Sequence, residues 1–334
     1  MSRNWTAEDV LQIARGYQAA CVLATAADLD IFTCLGKGPL GAREVAGALS
    51  CDTRAVTIIL DALAALELLE KGDGRYSVPP GLLPLLAQRG PGSILAMARH
   101  QANCLRRWAQ LTEVAKTGRP PGRRAGPDGS EADTQSFIGA MHDISAPVAR
   151  EVIRGLEPLS FRLLLDVGGA SGTWTAAFLA ACPGSTAILF DLPEVIPLAR
   201  ARVAELGVGD RVRLAAGDFL KDPLPAGADL AWVSAIIHQN SREENRALFA
   251  SVLRALVPGG RIAIRDTIMD PSRTSPVAGA LFAVNMLVGT EGGGTYTFDE
   301  VREDLEAAGF TDAALLRRDP AMNSLVCGRK PAGA

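Results

Sequence analysis

The chain has 334 residues, 48% hydrophobic and 21% charged, which is enough apolar material for two domains and too much for a disordered chain. A formal net charge of −3 excludes a global basic field for nucleic acid or anionic lipid. No apolar run reaches bilayer length, and the opening MSRNWTAEDVLQIARG lacks the apolar stretch of a signal peptide. Six scattered cysteines (Cys21, Cys34, Cys51, Cys104, Cys182, Cys327) form neither a Cys-x-x-Cys pair nor zinc spacing. A cytoplasmic protein with reduced thiols, no metal and no membrane partner is therefore expected.

The first hundred residues read as helices. Val10, Ile13, Ala14, Tyr17, Cys21 and Ala24 recur at helical spacing and predict one apolar stripe. A short helix from Ala42 to Leu49, a turn at Ser50-Cys51-Asp52 and a helix from Thr53 to about Leu69 follow, with Asp52 or Thr53 as the cap. The segment KGDGRYSV (71–78) predicts a Gly-rich turn into a short strand, so the order is helix, turn, helix, hairpin, as in a winged helix. A groove-reading helix would present cations to a duplex. The second helix carries only Arg54, opposed by Asp61, Glu67 and Glu70, and its apolar residues point to burial against protein. Residues 118–135, rich in Gly, Pro and polar side chains, predict a loop or lid that includes the basic run RPPGRR (119–124).

From Phe161 onward apolar strands alternate with helices: LLLDV (163–167), AILFD (187–191), RVRLAAGD (211–218), ADLAWVS (228–234) and RIAIRDTI (261–268). Near-continuous apolar strands separated by helices imply a parallel sheet covered on both faces, a doubly wound α/β domain. Such sheets bind ligands at the carboxyl ends of their strands. Asp166-Val167-Gly168-Gly169-Ala170-Ser171-Gly172 lies there, and Asp191 ends the second strand, where a carboxylate can accept both ribose hydroxyls. Two readings compete. A nicotinamide site needs Gly-x-Gly-x-x-Gly, and from Gly168 those positions hold Ala170 and Thr173. The alternative is the methyltransferase loop Asp-x-Gly-x-Gly-x-Gly, in which Ala170 replaces the middle glycine. Gly217-Asp218-Phe219 after the third strand and Pro258-Gly259-Gly260 before the fifth support the second reading.

Taken together, DVGGASG (166–172), FDLPEVI (190–196), GDFL (217–220) and LVPGGRIAI (256–264) resemble the plant-type small-molecule O-methyltransferase family, which includes caffeic acid and hydroxyindole enzymes and bacterial antibiotic-tailoring ones. The resemblance spans nearly the whole chain. It implies a Rossmann-like S-adenosylmethionine domain over residues 101–334, with 101–160 as linker and acceptor-pocket helices, behind a winged-helix dimerisation domain over residues 1–100. The family's base is a histidine after the fourth strand in His-Asp-Trp; here His238 matches it, while Gln239 and Asn240 depart from the pattern. Its orienting carboxylate matches Asp266. A second family acid falls near Thr295 and is missing, with Glu291 close by.

The expected donor set is Asp166, Gly168, Gly169, Gly172, Asp191, Leu192, Asp218, Phe219 and Ser234. The expected acceptor set is Phe137, Met141, Gln239, Asn285 and Met286. These imply a homodimeric, metal-independent transfer to a small hydroxylated aromatic or quinone-like acceptor in secondary metabolism, leaving S-adenosylhomocysteine as product. Methyl transfer to carbon or nitrogen on the same scaffold, a non-methylating reaction, and an S-adenosylmethionine-sensing DNA-binding regulator are the rival expectations.

Overall fold

A computed structural model of the chain describes residues 4–87, 92–120 and 138–333. It divides into two compact units, residues 1–106 with 123–144 and residues 107–122 with 145–334. The loop expected over 118–135 lies almost wholly outside the described residues, as does Phe137.

The first unit contains α1 (Ala7–Arg15), α2 (Tyr17–Asp28), α3 (Ile31–Leu35), β1 (Leu40–Gly41), α4 (Ala42–Ala48), α5 (Thr53–Ala65), β2 (Glu70–Gly72), β3 (Arg75–Ser77) and most of α6 (Leu95–Trp108). The Asp52 carboxylate accepts the Ala55 N–H at 2.8 Å and caps α5. The hairpin joins β1 in the antiparallel order β1-β3-β2, which completes a winged-helix arrangement over a core of Ile31, Phe32, Leu35, Val45, Val56, Leu60, Leu63 and Tyr76.

Two local expectations change. The N-terminal stripe does not form one buried face: the helix breaks at Gly16, α1 buries nothing, and Val10, Ile13 and Tyr17 are exposed. Helix α5 stops at Ala65, because the chain turns through Glu67 at φ +59, and buried Leu69 lies beyond the helix. Apolar residues continue after the helical period has ended, so composition overruns the boundary.

The second unit continues with α7 (Leu111–Thr117), α8 (Ala149–Arg154), β4 (Leu163–Val167), α9 (Thr173–Ala181), β5 (Thr186–Asp191), α10 (Ile196–Glu205), β6 (Val212–Ala216), β7 (Ala228–Ser234), α11 (Arg242–Ala255), β8 (Leu256–Asp266), β9 (Ile268–Met269), α12 (Val277–Gly289), β10 (Tyr296–Thr297), α13 (Phe298–Ala307), β11 (Thr311–Arg317) and β12 (Ser324–Arg329). The main sheet runs β11-β12-β8-β7-β4-β5-β6. Its five strands β6, β5, β4, β7 and β8 are parallel, but β12 and β11 are antiparallel, so the sheet is mixed rather than parallel throughout. Register shifts and half-exposure in β11 blur the alternation that marks a strand.

Alternation along the strands divides the core. Leu165, Val167, Val233 and Ile264 face one layer with α11 and α13; Leu164, Trp232 and Ala263 face the other with α8, α9 and α10. On the second side Trp232 is wedged between Trp174 and Phe178, with centroids 5.2 and 5.0 Å away. The strand order reverses between β4 and β7, opening a crevice at their carboxyl ends. Among the described residues no helix is long and apolar enough to cross a membrane.

Candidate functional site

At the end of β4 the backbone turns through Gly168 (φ +66), Gly169 and Ala170 (φ +45) into α9. A Cβ on Gly168 would sit 2.6 Å from Ile236 Cδ1, and one on Gly169 would sit 2.5 Å from Leu189 Cγ. These two glycines therefore let the loop lie directly on its neighbouring strands. Ala170 adopts the left-handed conformation that a glycine would take without strain, at about 1 kcal/mol. Its N–H donates to Asp191 Oδ2 at 2.7 Å, which holds it there. Two backbone bonds join the neighbouring loops: the Gly168 N–H donates to the Phe190 carbonyl at 2.8 Å, and the Gly217 N–H to the Asp191 carbonyl at 2.9 Å.

The expected donor residues differ sharply in environment. Asp166 is buried and accepts the Thr175 hydroxyl at 2.5 Å. Burial, opposed by the Thr175 hydrogen bond, pushes its carboxyl up to about 7. Asp191 is also raised, chiefly by burial and against the N–H groups of Ala170 and Leu192. Neither carboxylate has a cation partner among the described residues. Asp218, by contrast, is paired with Lys221 at 2.8 Å, and that hydrogen bond holds it below its ordinary range. Phe219 is half-buried, Leu192 is exposed, and the Ser234 hydroxyl accepts from Arg265 Nη1 at 3.2 Å.

Two strands further along, β7 ends in a 3₁₀ turn over Ile237–Gln239 that buries His238. The His238 Nδ1 lies 2.8 and 3.0 Å from the two carboxylate oxygens of Asp266, the last residue of β8. The Thr267 N–H donates to Asp266 Oδ1 at 2.7 Å and fixes the carboxylate in turn. An ionised carboxylate can only accept, so this contact places the proton on Nδ1 and leaves Nε2 as an acceptor. Ile236, whose side chain lies over Gly168, connects this turn to the glycine loop.

The turn is pinned from several sides. Asn245 of α11 donates to the Ile237 carbonyl at 2.9 Å and accepts from Asn240 at 3.1 Å. The Tyr296 hydroxyl donates to the Asn240 carbonyl, and the Gly294 N–H to the His238 carbonyl at 2.9 Å. Phe282 of α12 meets the imidazole edge to face at 4.7 Å. Asn240 thus serves as a buried polar anchor at the position where the family pattern has tryptophan.

The expected acceptor residues scatter. Asn285 and Met286 share a face of α12 with Phe282, three and four residues on, and Asn285 accepts the Trp108 indole N–H at 2.8 Å. Gln239 is exposed and donates back to the Ala235 carbonyl. Met141 is half-buried in the first unit. Thr295 is buried with its hydroxyl on the Gly279 carbonyl, and Glu291 is exposed, so Asp266 is the carboxylate bonded to His238 among the described residues. Sequence reasoning missed Phe282, Asn245 and Arg265. Asn245 had a legible signal, a polar residue on the α11 face that buries Leu248, Phe249 and Val252.

Two family models match the chain: an O-methyltransferase domain over residues 125–311 and an O-methyltransferase dimerisation domain over residues 11–80. The tetracenomycin polyketide synthesis 8-O-methyl transferase of Streptomyces glaucescens is 34% identical over 97% of this chain and 96% of its own. An N,N-dimethyltransferase of Streptomyces rimosus is 31% identical over 91% of this chain and 90% of its own. Human N-acetylserotonin methyltransferase, solved in complex with SAM, superposes with a TM-score of 0.82 at 25% identity, covering 99% of this chain and 100% of that one. The chain belongs to the O-methyltransferase family and is a methyltransferase.

Proposed function

We propose that this enzyme transfers a methyl group from S-adenosylmethionine to a hydroxyl of a small hydroxylated aromatic or quinone-like metabolite, with His238 as general base and Asp266 as its positioning residue. The observation that carries this reading is the buried His238–Asp266 pair at 2.8 Å, set beside the glycine loop through Ile236. The donor site fits such a cofactor: Asp166 is a buried carboxylate without a cation partner among the described residues, suited to a ligand bearing positive charge, and Asp191 ends β5, where it can accept the ribose hydroxyls. Bound S-adenosylmethionine supplies an electrophilic methyl group on a positively charged sulfur.

What remains for the protein is alignment and proton removal. A phenol titrates near about 10 and is a weak nucleophile at neutral pH until a base takes its proton. His238 Nε2 accepts that proton while Asp266 holds the ring and stabilises the imidazolium. Phe282 limits the ring's tilt. Asp166, Gly168, Gly169, Gly172, Asp191, Leu192, Asp218, Phe219 and Ser234 hold the donor. Asn285 and Met286, which share a face of α12 with Phe282, line the acceptor side.

Residues 1–100 act as the dimerisation domain and residues 101–334 as the catalytic one, in a cytoplasmic homodimer. Exposed Trp5, Val10, Leu11, Ile13 and Tyr17 suit a protein-covered surface. A DNA-reading role for the winged helix is disfavoured: Lys71 of its wing is spent on Asp61 of α5 at 2.5 Å.

The test is transfer of labelled methyl from S-adenosylmethionine into small hydroxylated metabolites, comparing wild type with His238→Ala. Loss of turnover by about 10²–10⁴-fold, with S-adenosylhomocysteine still bound, is expected. Equal labelling by the variant would remove His238 as base. It would favour methylation of nitrogen or carbon by alignment alone, a reading to which the N,N-dimethyltransferase relative lends support.

A further inference from the structure

Arg265, the penultimate residue of β8, is only 3% exposed, yet among the described residues it forms no ion pair. Its Nε donates to Asn323 Oδ1 at 2.9 Å and its Nη1 to Ser234 Oγ at 3.2 Å, while Nη2 has no hydrogen-bond partner among the described residues. The guanidinium stacks over Trp174 at 4.6 Å, on the helix that follows the glycine loop. Burial pushes Arg265 down to about 10, which leaves it charged at neutral pH. The carboxylates that act on it, Asp266 and Asp319, make no direct ion pair with it, and a planar guanidinium with one free edge matches a carboxylate.

We propose that Arg265 recognises the α-carboxylate of the methyl donor. Strand alternation supplies the direction. Asp266 bonds His238 on one face of β8, so Arg265 projects to the other face, where Trp174 and Asp166 also lie, away from the base. An acceptor deprotonated by His238 is therefore not its counter-ion. Ser234 is paired in register with Arg265, at the end of the strand beside the glycine loop. Asp166, a buried carboxylate without a cation partner among the described residues, and Arg265, a buried guanidinium without a direct ion pair, thus lie at the ends of β4 and β8 on one face of the sheet. That polarity matches an amino-acid end carrying an ammonium and a carboxylate beside a sulfonium.

This assignment rests on the donor reading above, and the experiment separates the two. Calorimetry would compare S-adenosylhomocysteine with its decarboxylated analogue on wild type, Arg265→Lys and Arg265→Met. Wild type should prefer the carboxylate-bearing ligand by about ten- to a hundredfold. Arg265→Met should bind both ligands about equally, at the affinity wild type shows for the analogue, and Arg265→Lys should retain an intermediate preference. An undiminished preference in Arg265→Met, or equal losses for both ligands, would overturn the assignment. If Arg265→Met does not fold, Arg265→Lys decides alone: a preference equal to wild type's overturns the proposal, and a reduced one supports it. Failure of wild type to bind S-adenosylhomocysteine would sink the donor reading itself, and this assignment with it.

Discussion

The carboxyl edge of the sheet is finished to different degrees at the ends of β4 and β5 and at the ends of β7 and β8. At β7 and β8, Asp266 receives the His238 imidazole, the Thr267 N–H and, at 3.4 Å, the His238 N–H, so its charge is answered within the protein. At β4 and β5, Asp166 and Asp191 are held by neutral donors alone, and burial raises both. The first arrangement is preorganised: its geometry is set before any substrate arrives, as proton transfer requires. The second carries an electrostatic deficit, which the proposed cationic ligand would relieve.

The contrast is broken most severely at Asp266. Asp266→Asn keeps the shape but removes the charge that answers the imidazole and can turn an amide N–H toward it. Turnover should fall about 10- to 100-fold while affinity for S-adenosylhomocysteine stays within about twofold, read by initial rates and calorimetry. An unchanged rate would mean that the pair is a structural anchor only.

A smaller effect sharpens the other side. The folded pKa of Asp166 is raised from 3.8 to about 7, so its contribution to stability is fully present below 3.8 and is lost as pH rises through about 7. In the ligand-free protein Asp166→Asn should therefore gain thermal stability relative to wild type as pH is raised from 5 to 8. A sulfonium favours the ionised carboxyl, so wild-type affinity for S-adenosylmethionine, relative to the neutral-sulfur product, should rise about three- to tenfold over pH 6 to 8. That ratio should stay flat in Asp166→Asn, and a parallel rise in both proteins would assign the effect elsewhere.

The smallest expected effect is at Ala170, whose φ of +45 is a conformation that suits glycine. Ala170→Gly should relieve about 1 kcal/mol of strain, partly offset by added freedom in the unfolded chain, and raise the melting temperature by about 2 °C. A fall would mean that the alanine methyl packs favourably enough to outweigh its backbone conformation.

Much of this was legible in the residues because it depends on local chemistry. Apolar runs ended by glycine or aspartate located β4, β5 and β7 almost to the residue, and the loop 166–172 announced a close backbone approach. The pairing of His238 with Asp266 followed from the family pattern, and the structure brings them together across 28 residues. The positions that stayed hidden depend on neighbours distant in sequence. Phe282 reaches His238 from α12, Asn245 holds the turn from α11, and β12 returns antiparallel to β8 to place Asn323 on Arg265. Gln239 looked like a pocket residue by adjacency, yet its side chain folds back to the Ala235 carbonyl.

By itself the sequence determined the order of elements, the close-packed glycine loop after β4 and the residue types that the proposed donor binding and proton removal call for, because backbone conformation, strand period and side-chain chemistry are properties of short segments. Only the tertiary structure decided which carboxylates are answered and which are left waiting. The energy of a buried charge depends on what surrounds it in space, so Asp166, Asp266 and Arg265, ordinary charged residues in the chain, become three different instruments once the sheet brings their strands together.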